Sequence, residues 1–316
     1  MVPHLDAAHP AATPPNRPAA ALRLMRPAQW VKNLLLFVPL AGAHRASDAH
    51  LLLLAAGAFA AFCLCASGVY VFNDLFDLAA DRAHPTKRAR PLAAGAVTPA
   101  FARGLGAALL AAGLAAAFLT RGWPLALAAA VYVAISSAYT LYLKRVLALD
   151  VIVLAGLYTY RVLAGGLAVG VEVTPWLLAY STFLFLSLAF AKRYTEVRRA
   201  PTPADEWVAG RSYGPGDHVL LGNLGPVSGY LSVLVFALYI DQSKAAGMSQ
   251  LYRHPRYLWL ICPLMLYWVT RLWFFAYRGA LDDDPVVFAL KDRVSYLVGL
   301  AVALVLVAAA VAPAGW

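Results

Sequence analysis

Residues 51–82 read LLLLAAGAFAAFCLCASGVYVFNDLFDLAADR. From Leu51 to Phe72 no side chain carries a formal charge, and the stretch then ends on Asn73, Asp74, Asp77 and Asp81. The apolar part exceeds the ~20 residues a helix needs to cross a bilayer's hydrocarbon core. Positions 51–62 show no alternation of apolar and polar residues, which a lipid-exposed barrel strand requires. In lipid the backbone must satisfy its own polar groups, so the stretch reads as a membrane helix. It delivers a cluster of carboxylates to the membrane surface.

The same pattern recurs along the chain. Apolar segments fall at 31–43, 50–73, 99–120, 123–143, 146–169, 175–192, 219–240, 256–277 and 293–312, the first of them short. The expected fold is therefore all-α and polytopic, with nine membrane helices. Hydrophobic residues make up 62% of the 316 and charged residues 13%. Soluble domains carry about 25% charge, so a disordered chain, a coiled coil and an ordinary cytosolic enzyme are excluded. Residues 1–20, rich in Pro and Ala, read as a flexible tail preceding a single membrane domain over 21–316. Three cysteines make no disulfide framework, and Cys63 and Cys65 read as small packing residues inside a helix.

Lys and Arg number 26 against 16 Asp and Glu. Nine crossings place 19 of the basic residues on the side of the N-terminus and five on the other, with Arg161 and Arg271 inside helices. Basic loops stay cytoplasmic, so the excess of positive charge points to membrane topology and not to nucleic acid. The expectation is a multi-pass protein of a bacterial-type inner membrane, its N-terminus in the cytoplasm and its C-terminus outside. Asp74, Asp77, Asp81, Asp150, Glu196 and Asp292 then share the cytoplasmic face, where the chemistry is expected.

Asp74, Asp77 and Asp81 are spaced i, i+3, i+7, which predicts three carboxylates on one helical face. Such a group needs a cation. Its hard oxygens suit Mg²⁺, which combines one or two carboxylates with substrate phosphates and water. Arg82, His84, Lys87, Arg88 and Arg90 follow within ten residues. Cations beside metal-binding carboxylates suit a substrate with several phosphates.

The stretch NDLFDLAADRAHPTKRARPLAAG resembles the N-D-x-x-D-x-x-x-D signature of the UbiA superfamily of intramembrane prenyltransferases. Four further motifs resemble one branch, the decaprenyl-phosphate phosphoribosyltransferases. They are Arg26-Pro27-Ala28-Gln29-Trp30-Val31-Lys32-Asn33, Asp81-Arg82-Ala83-His84-Pro85-Thr86-Lys87-Arg88, Lys192-Arg193-Tyr194-Thr195-Glu196 and Ala289-Leu290-Lys291-Asp292-Arg293. The resemblance spans about 23–300. It implies nine helices around a central cavity capped by cytosolic loops. It also implies transfer of 5-phosphoribose from phosphoribosyl pyrophosphate to a polyprenyl phosphate, in the making of a cell-envelope arabinose donor.

Under that reading Asp74, Asp77 and Asp81 hold Mg²⁺ against the diphosphate, and Asn73 supports the coordination or a phosphate oxygen. The basic residues of 82–90 hold other phosphates, with His84 more suited to a phosphate or backbone contact than to proton transfer. Lys32, Lys192, Arg193 and Arg293 are candidates for the lipid phosphate, beside Tyr194. Ordinary members of the superfamily carry a second acidic cluster, whereas here residues 139–150 hold the single acid Asp150. Tyr142, Lys144, Arg145 and Asp150 are the substrate-binding candidates of that stretch.

Other residues read as structural. Arg161 lies about 16 Å deeper than Asp150 at 1.5 Å per residue, so its partner is expected on another helix. The loop after Lys192, running to Gly216, reads as a cap or a linker. Asp282, Asp283 and Asp284 read as a solvated acidic run, and Trp259, Trp268 and Trp273 as lipid-facing or packing residues. Two other functions compete: prenyl transfer from a diphosphate to a small acceptor, and a transporter or lipid-binding scaffold. No internal repeat supports the latter.

Overall fold

The computed structural model describes residues 17–199, 212–242, 252–281 and 284–311. It opens with α1 (Arg17–Met25), a 3-10 helix over Pro27–Phe37 and α2 (Val38–Gly42). α3 (Ala49–Phe76) leads into the short α4 (Leu78–Ala83). α5 (Pro99–Arg121), α6 (Trp123–Leu141), α7 (Leu149–Val169), α8 (Pro175–Arg199), α9 (His218–Asp241) and α10 (Ile261–Tyr277) follow. α11 (Pro285–Lys291) precedes α12 (Arg293–Val311). No strand occurs among the described residues.

Eight helical segments among those residues are long and apolar enough to cross a membrane, beginning with Ala49–Phe76 and ending with Arg293–Val311. They match the second to ninth apolar segments of the sequence. The first segment, at 31–43, is divided between the 3-10 helix and α2. Pro39 sits in the first turn of α2 and lacks the N–H that would continue a regular helix from Leu35.

Helix ends follow ordinary capping chemistry. Asp48 accepts hydrogen bonds from the amides of His50 (3.1 Å) and Leu51 (3.2 Å) at the start of α3. Thr98 accepts from Phe101 N (3.2 Å) at the start of α5, with Pro99 in its first turn. α8 runs past the predicted end at 192 to Arg199, so Tyr194 and Glu196 lie on a helix and not at the start of a loop. The remainder of that predicted cap at 200–211 lies outside the described residues, as do residues 1–16 of the tail.

Five apolar clusters hold the described residues together, and two of them are the largest. One gathers Phe62, Ala129, Tyr132 and Leu157 from α3, α6 and α7. The other gathers Tyr158, Phe185, Leu188, Leu272 and Trp273 from α7, α8 and α10. Small residues set the close approaches, as expected where dispersion contacts drive helix association. A Cβ on Gly113 of α5 would lie 2.6 Å from the Cys65 sulfur on α3, so that cysteine packs as the sequence suggested. Gly165 of α7 faces the backbone of Leu36, seating the 3-10 helix against α7.

Gly165→Val is therefore expected to unseat the segment that carries Lys32 and Asn33, lowering stability by about 1–3 kcal/mol. The thermal midpoint of the purified protein in detergent reads this directly; an unchanged midpoint contradicts the packing.

Candidate active site

The carboxylates do not share one helical face. α3 ends at Phe76, Asp77 (φ −87°, ψ 4°) forms the joint, and Asp81 rides on the separate α4. Asp74 and Asp81 share one arginine, while Asp77 beside them faces a different cation. Nη1 of Arg90 lies 3.3 Å from Asp74 Oδ1 and 2.6 Å from Asp81 Oδ2, while Arg26 pairs with Asp74. Asp77, more exposed, faces the Lys144 ammonium at 3.8 Å. Asn73 is partly buried on the last turns of α3.

Arg26 reaches Asp74 from a corner fastened to α3. Ser67 Oγ donates to Met25 O (2.8 Å) and accepts from Trp30 Nε1 (2.9 Å). Arg26 itself takes the left-handed conformation (φ 53°, ψ 59°), uncommon for a side-chain-bearing residue and worse before proline. Its guanidinium lies 5.1 Å from the centre of the Tyr70 ring.

Two carboxylates around one cationic centre form a donor set that suits Mg²⁺ when phosphates and waters complete its shell. Asp74 and Asp81 meet that description. Among the described residues no three acidic, histidine or cysteine side chains gather as a metal cage, so a self-contained three-aspartate site is not formed.

A second charged cluster lies nearby, around the 3-10 helix. Lys32 pairs with Asp284, and Lys192 of α8 approaches the same carboxylate at 3.9 Å. Asp284 also accepts from Val286 N (3.1 Å) at the start of α11. Burial pushes its carboxyl upward, but the two ammonium groups and these hydrogen bonds outweigh that and hold it below the usual carboxylate range. Asp284 is therefore a largely buried counter-ion, not part of a solvated acidic run; Asp282 and Asp283 lie outside the described residues. An aspartate before proline is a helix-start signature, and that was the legible hint. The Lys32 ammonium also sits 5.8 Å from the centre of the Tyr158 ring.

Lys32 lines a cavity of about 620 Å³. The other walls are almost wholly apolar: Leu35, Leu184, Leu188, Met265, Val298 and Val302 contribute, with Trp268 at the edge. The Trp268 indole donates to Ser295 Oγ (2.9 Å). Trp273 instead packs inside, donating to Ser187 Oγ (3.0 Å), and Trp259 faces outward.

Several sequence candidates are placed in the framework. Arg193 is 1% exposed and contacts Asp150 Oδ2 (2.6 Å), Glu196 and Tyr139 Oη (2.7 Å). Tyr213 donates to Asp150 Oδ1 (3.0 Å); burial and that carboxylate push its phenol well above the ordinary range, keeping it a donor. Asp150 and Arg193 thus tie α6, α7, α8 and the start of the α9 segment. Tyr194 is buried against Trp273 and Gly222. Arg161 finds its partners on other elements, as expected: Asn33 Oδ1 (2.9 Å) and Tyr132 Oη (2.8 Å). Asn33 in turn donates to the Cys63 sulfur (3.2 Å).

Arg82, His84, Lys87, Arg88, Tyr142, Arg145 and Arg293 are exposed. His84 Nδ1 accepts from Thr86 N (3.2 Å), a backbone contact that shapes the loop. Arg26, Tyr70 and Tyr139 are the contributing residues that sequence reasoning did not single out, and Asp284 was assigned to a solvated run instead. Arg26 stood within a quoted motif, while the tyrosines had no signal beyond their aromatic type.

The UbiA prenyltransferase family model matches residues 34–291. The chain belongs to that family. It is 39% identical over 285 residues to the uncharacterized protein y4nM of Sinorhizobium fredii, covering 87% of this chain and 53% of that one. The chain thus spans about half the length of that relative. The nodulation protein NoeC of Azorhizobium caulinodans is 36% identical, with 89% and 90% covered. The decaprenyl-phosphate phosphoribosyltransferase of Mycolicibacterium smegmatis is 33% identical over 304 residues, 94% of each chain. A UbiA homolog from Archaeoglobus fulgidus, solved bound to GPP and Mg²⁺, superposes with a TM-score of 0.66 at 19% identity, covering 91% of this chain and 99% of that one. This UbiA-family chain is an integral membrane protein of the family's transferase type.

Arg193→Gln leaves the Asp150 charge buried without its main partner and is expected to cost about 3–5 kcal/mol. Denaturation in detergent measures it, and adding Asp150→Asn should recover part of the loss; full stability of the single variant contradicts the pairing. The late motif gives a pH test. Arg271 binds Asp292 through two contacts, 2.6 and 2.9 Å, and that hydrogen bonding, against a burial penalty, lowers the carboxyl to about 2. A lowered carboxylate contributes fully above the ordinary range near pH ~4 and loses its contribution as pH falls through the folded value. Unfolding followed from pH ~5 downward should show that loss, and Arg271→Gln should flatten it.

Proposed function

We propose that the chain transfers 5-phosphoribose from phosphoribosyl pyrophosphate to a polyprenyl phosphate, releasing pyrophosphate. One observation carries this reading. A cluster of two carboxylates and two arginines stands beside a lysine-headed apolar cavity, with Tyr70 next to Arg26 and in electrostatic range of Lys32. The first cluster suits a diphosphate; the second suits a single phosphate on an apolar tail. The names of several relatives and the four flanking motifs support the same choice. Nine crossings belong to this proposal. Eleven residues at about 2.0 Å and five at about 1.5 Å rise let the 3-10 helix and α2 reach about 30 Å, the thickness of a hydrocarbon core. The carboxylates, the basic loop and the N-terminus then face the cytoplasm.

Asp74 and Asp81 would hold Mg²⁺, with Asp77 and Asn73 beside them. When bound, the ion neutralises charge on the departing diphosphate. Arg26 and Arg90 present planar guanidinium groups suited to bidentate phosphate contact. Arg82, Lys87, Arg88 and Arg145 offer cations for the 5-phosphate, and Lys144 faces Asp77. Lys32 and Lys192 receive the lipid phosphate, while Asp150, Arg193 and Tyr194 hold α7 and α8 in place around them.

An oxygen of the lipid phosphate forms the new bond to the anomeric carbon as the bond to the diphosphate breaks. The electron pair leaves with pyrophosphate. No proton need be removed, because the lipid phosphate is already an anion. Orientation and charge stabilisation carry the rate.

Purified protein with Mg²⁺, labelled phosphoribosyl pyrophosphate and a polyprenyl phosphate should yield labelled lipid. Asp81→Asn should lower kcat by about 10²–10³-fold, and Lys32→Gln should raise KM for the lipid about tenfold or more while sparing that for the sugar. Product only from a prenyl diphosphate and a small acceptor would assign the other transferase chemistry. Binding without turnover would assign a scaffold.

A further inference from the structure

Lys32 and Lys192 have side chains 8% and 23% exposed, and among the described ion pairs Asp284 is the carboxylate partner of both. That carboxylate is itself 12% exposed. Two ammonium groups share this one carboxylate, with Arg193 and Glu196 also in electrostatic range of Lys192, and a phosphate, with more charge and more acceptor oxygens than a carboxylate, is the better partner for both ammonium groups. The cavity that Lys32 borders is ligand-sized and apolar, so an anion arriving there by way of the membrane would carry an apolar tail.

Asp284 comes from a distant part of the chain, 252 positions from Lys32. It caps α11, whose Val286 and Ala289 line the same cavity. Its oxygen lies within ion-pair reach of both ammonium groups, the placement that an oxygen of a phosphate monoester would take. The carboxylate thus fills a phosphate position while the helix it caps forms part of the tail's wall.

Building on the reading that these lysines receive the lipid phosphate, we infer that Asp284 is a built-in competitor for it. The incoming phosphate displaces the carboxylate, the Val286 amide loses its acceptor, and the affinity for prenyl phosphates is set by this exchange. Asp284 is a positioning residue: it acts through the two lysines and touches no reacting atom.

The test uses the full chain in detergent and farnesyl phosphate as probe, without phosphoribosyl pyrophosphate. Asp284→Asn should bind the probe about tenfold more tightly, since the competing state is removed. Unchanged or weaker binding overturns the inference. Hydrogen exchange of the unaltered protein supplies a second measurement that does not depend on the variant folding. Farnesyl phosphate should speed exchange at the Val286 amide while farnesol does not. A purely structural Asp284 would give no change or added protection there, and either result overturns the inference. Neither measurement requires turnover. Failure of the labelled-sugar assay with these binding results intact removes the phosphoribosyl reading alone, and the reverse pattern removes only the competitor.

Discussion

Buried charge is the constraint on which this bundle depends. A membrane interior offers no water to screen an ion, so each charged side chain inside it must meet a partner on another element. Arg193 meets Asp150, Arg161 meets Asn33 and Tyr132, Arg271 meets Asp292, and Lys32 meets Asp284. These contacts join residues far apart in sequence, and they fix how α6, α7, α8, α10 and the N-terminal 3-10 helix sit together. Apolar packing alone is weakly directional between helices already surrounded by lipid.

The polar network also divides into two kinds of charge. Around Asp150 and Arg193 the groups are sealed and their partners come from the protein on every side. Around Asp74, Asp81 and Arg90, and around Lys32 and Lys192, one partner remains partly open to solvent or borders a cavity. Ion pairs of the first kind hold helices. Those of the second can exchange a protein partner for a phosphate or a metal, which is the property a site for anionic substrates needs.

Much of this was legible beforehand, for identifiable reasons. Spans such as Ala49–Phe76 and Pro99–Arg121 follow from uninterrupted apolar runs, because lipid imposes a length and a composition. The need for a cation among Asp74, Asp77 and Asp81 followed from their mutual repulsion, and Arg26, Arg90 and Lys144 answer it. The helical face they were expected to share was not legible correctly, because nothing in local spacing announced the break at Asp77. Asp284 was misread because an acidic run before proline looks the same whether water or a buried ammonium faces it.

Local sequence determined what is local: which segments are apolar enough to cross, where prolines and capping residues end them, and which residue types stand ready for phosphate chemistry. It also carried the motifs by which the family was recognisable. Tertiary structure decided which charges face one another, since an ion pair's geometry depends on how separate helices pack and not on their spacing along the chain. It was folding that took Asp284 to Lys32, drew Asp81 to Arg90 and turned Arg193 inward onto Asp150. A charge is a property of one residue, but its partner is a property of the fold.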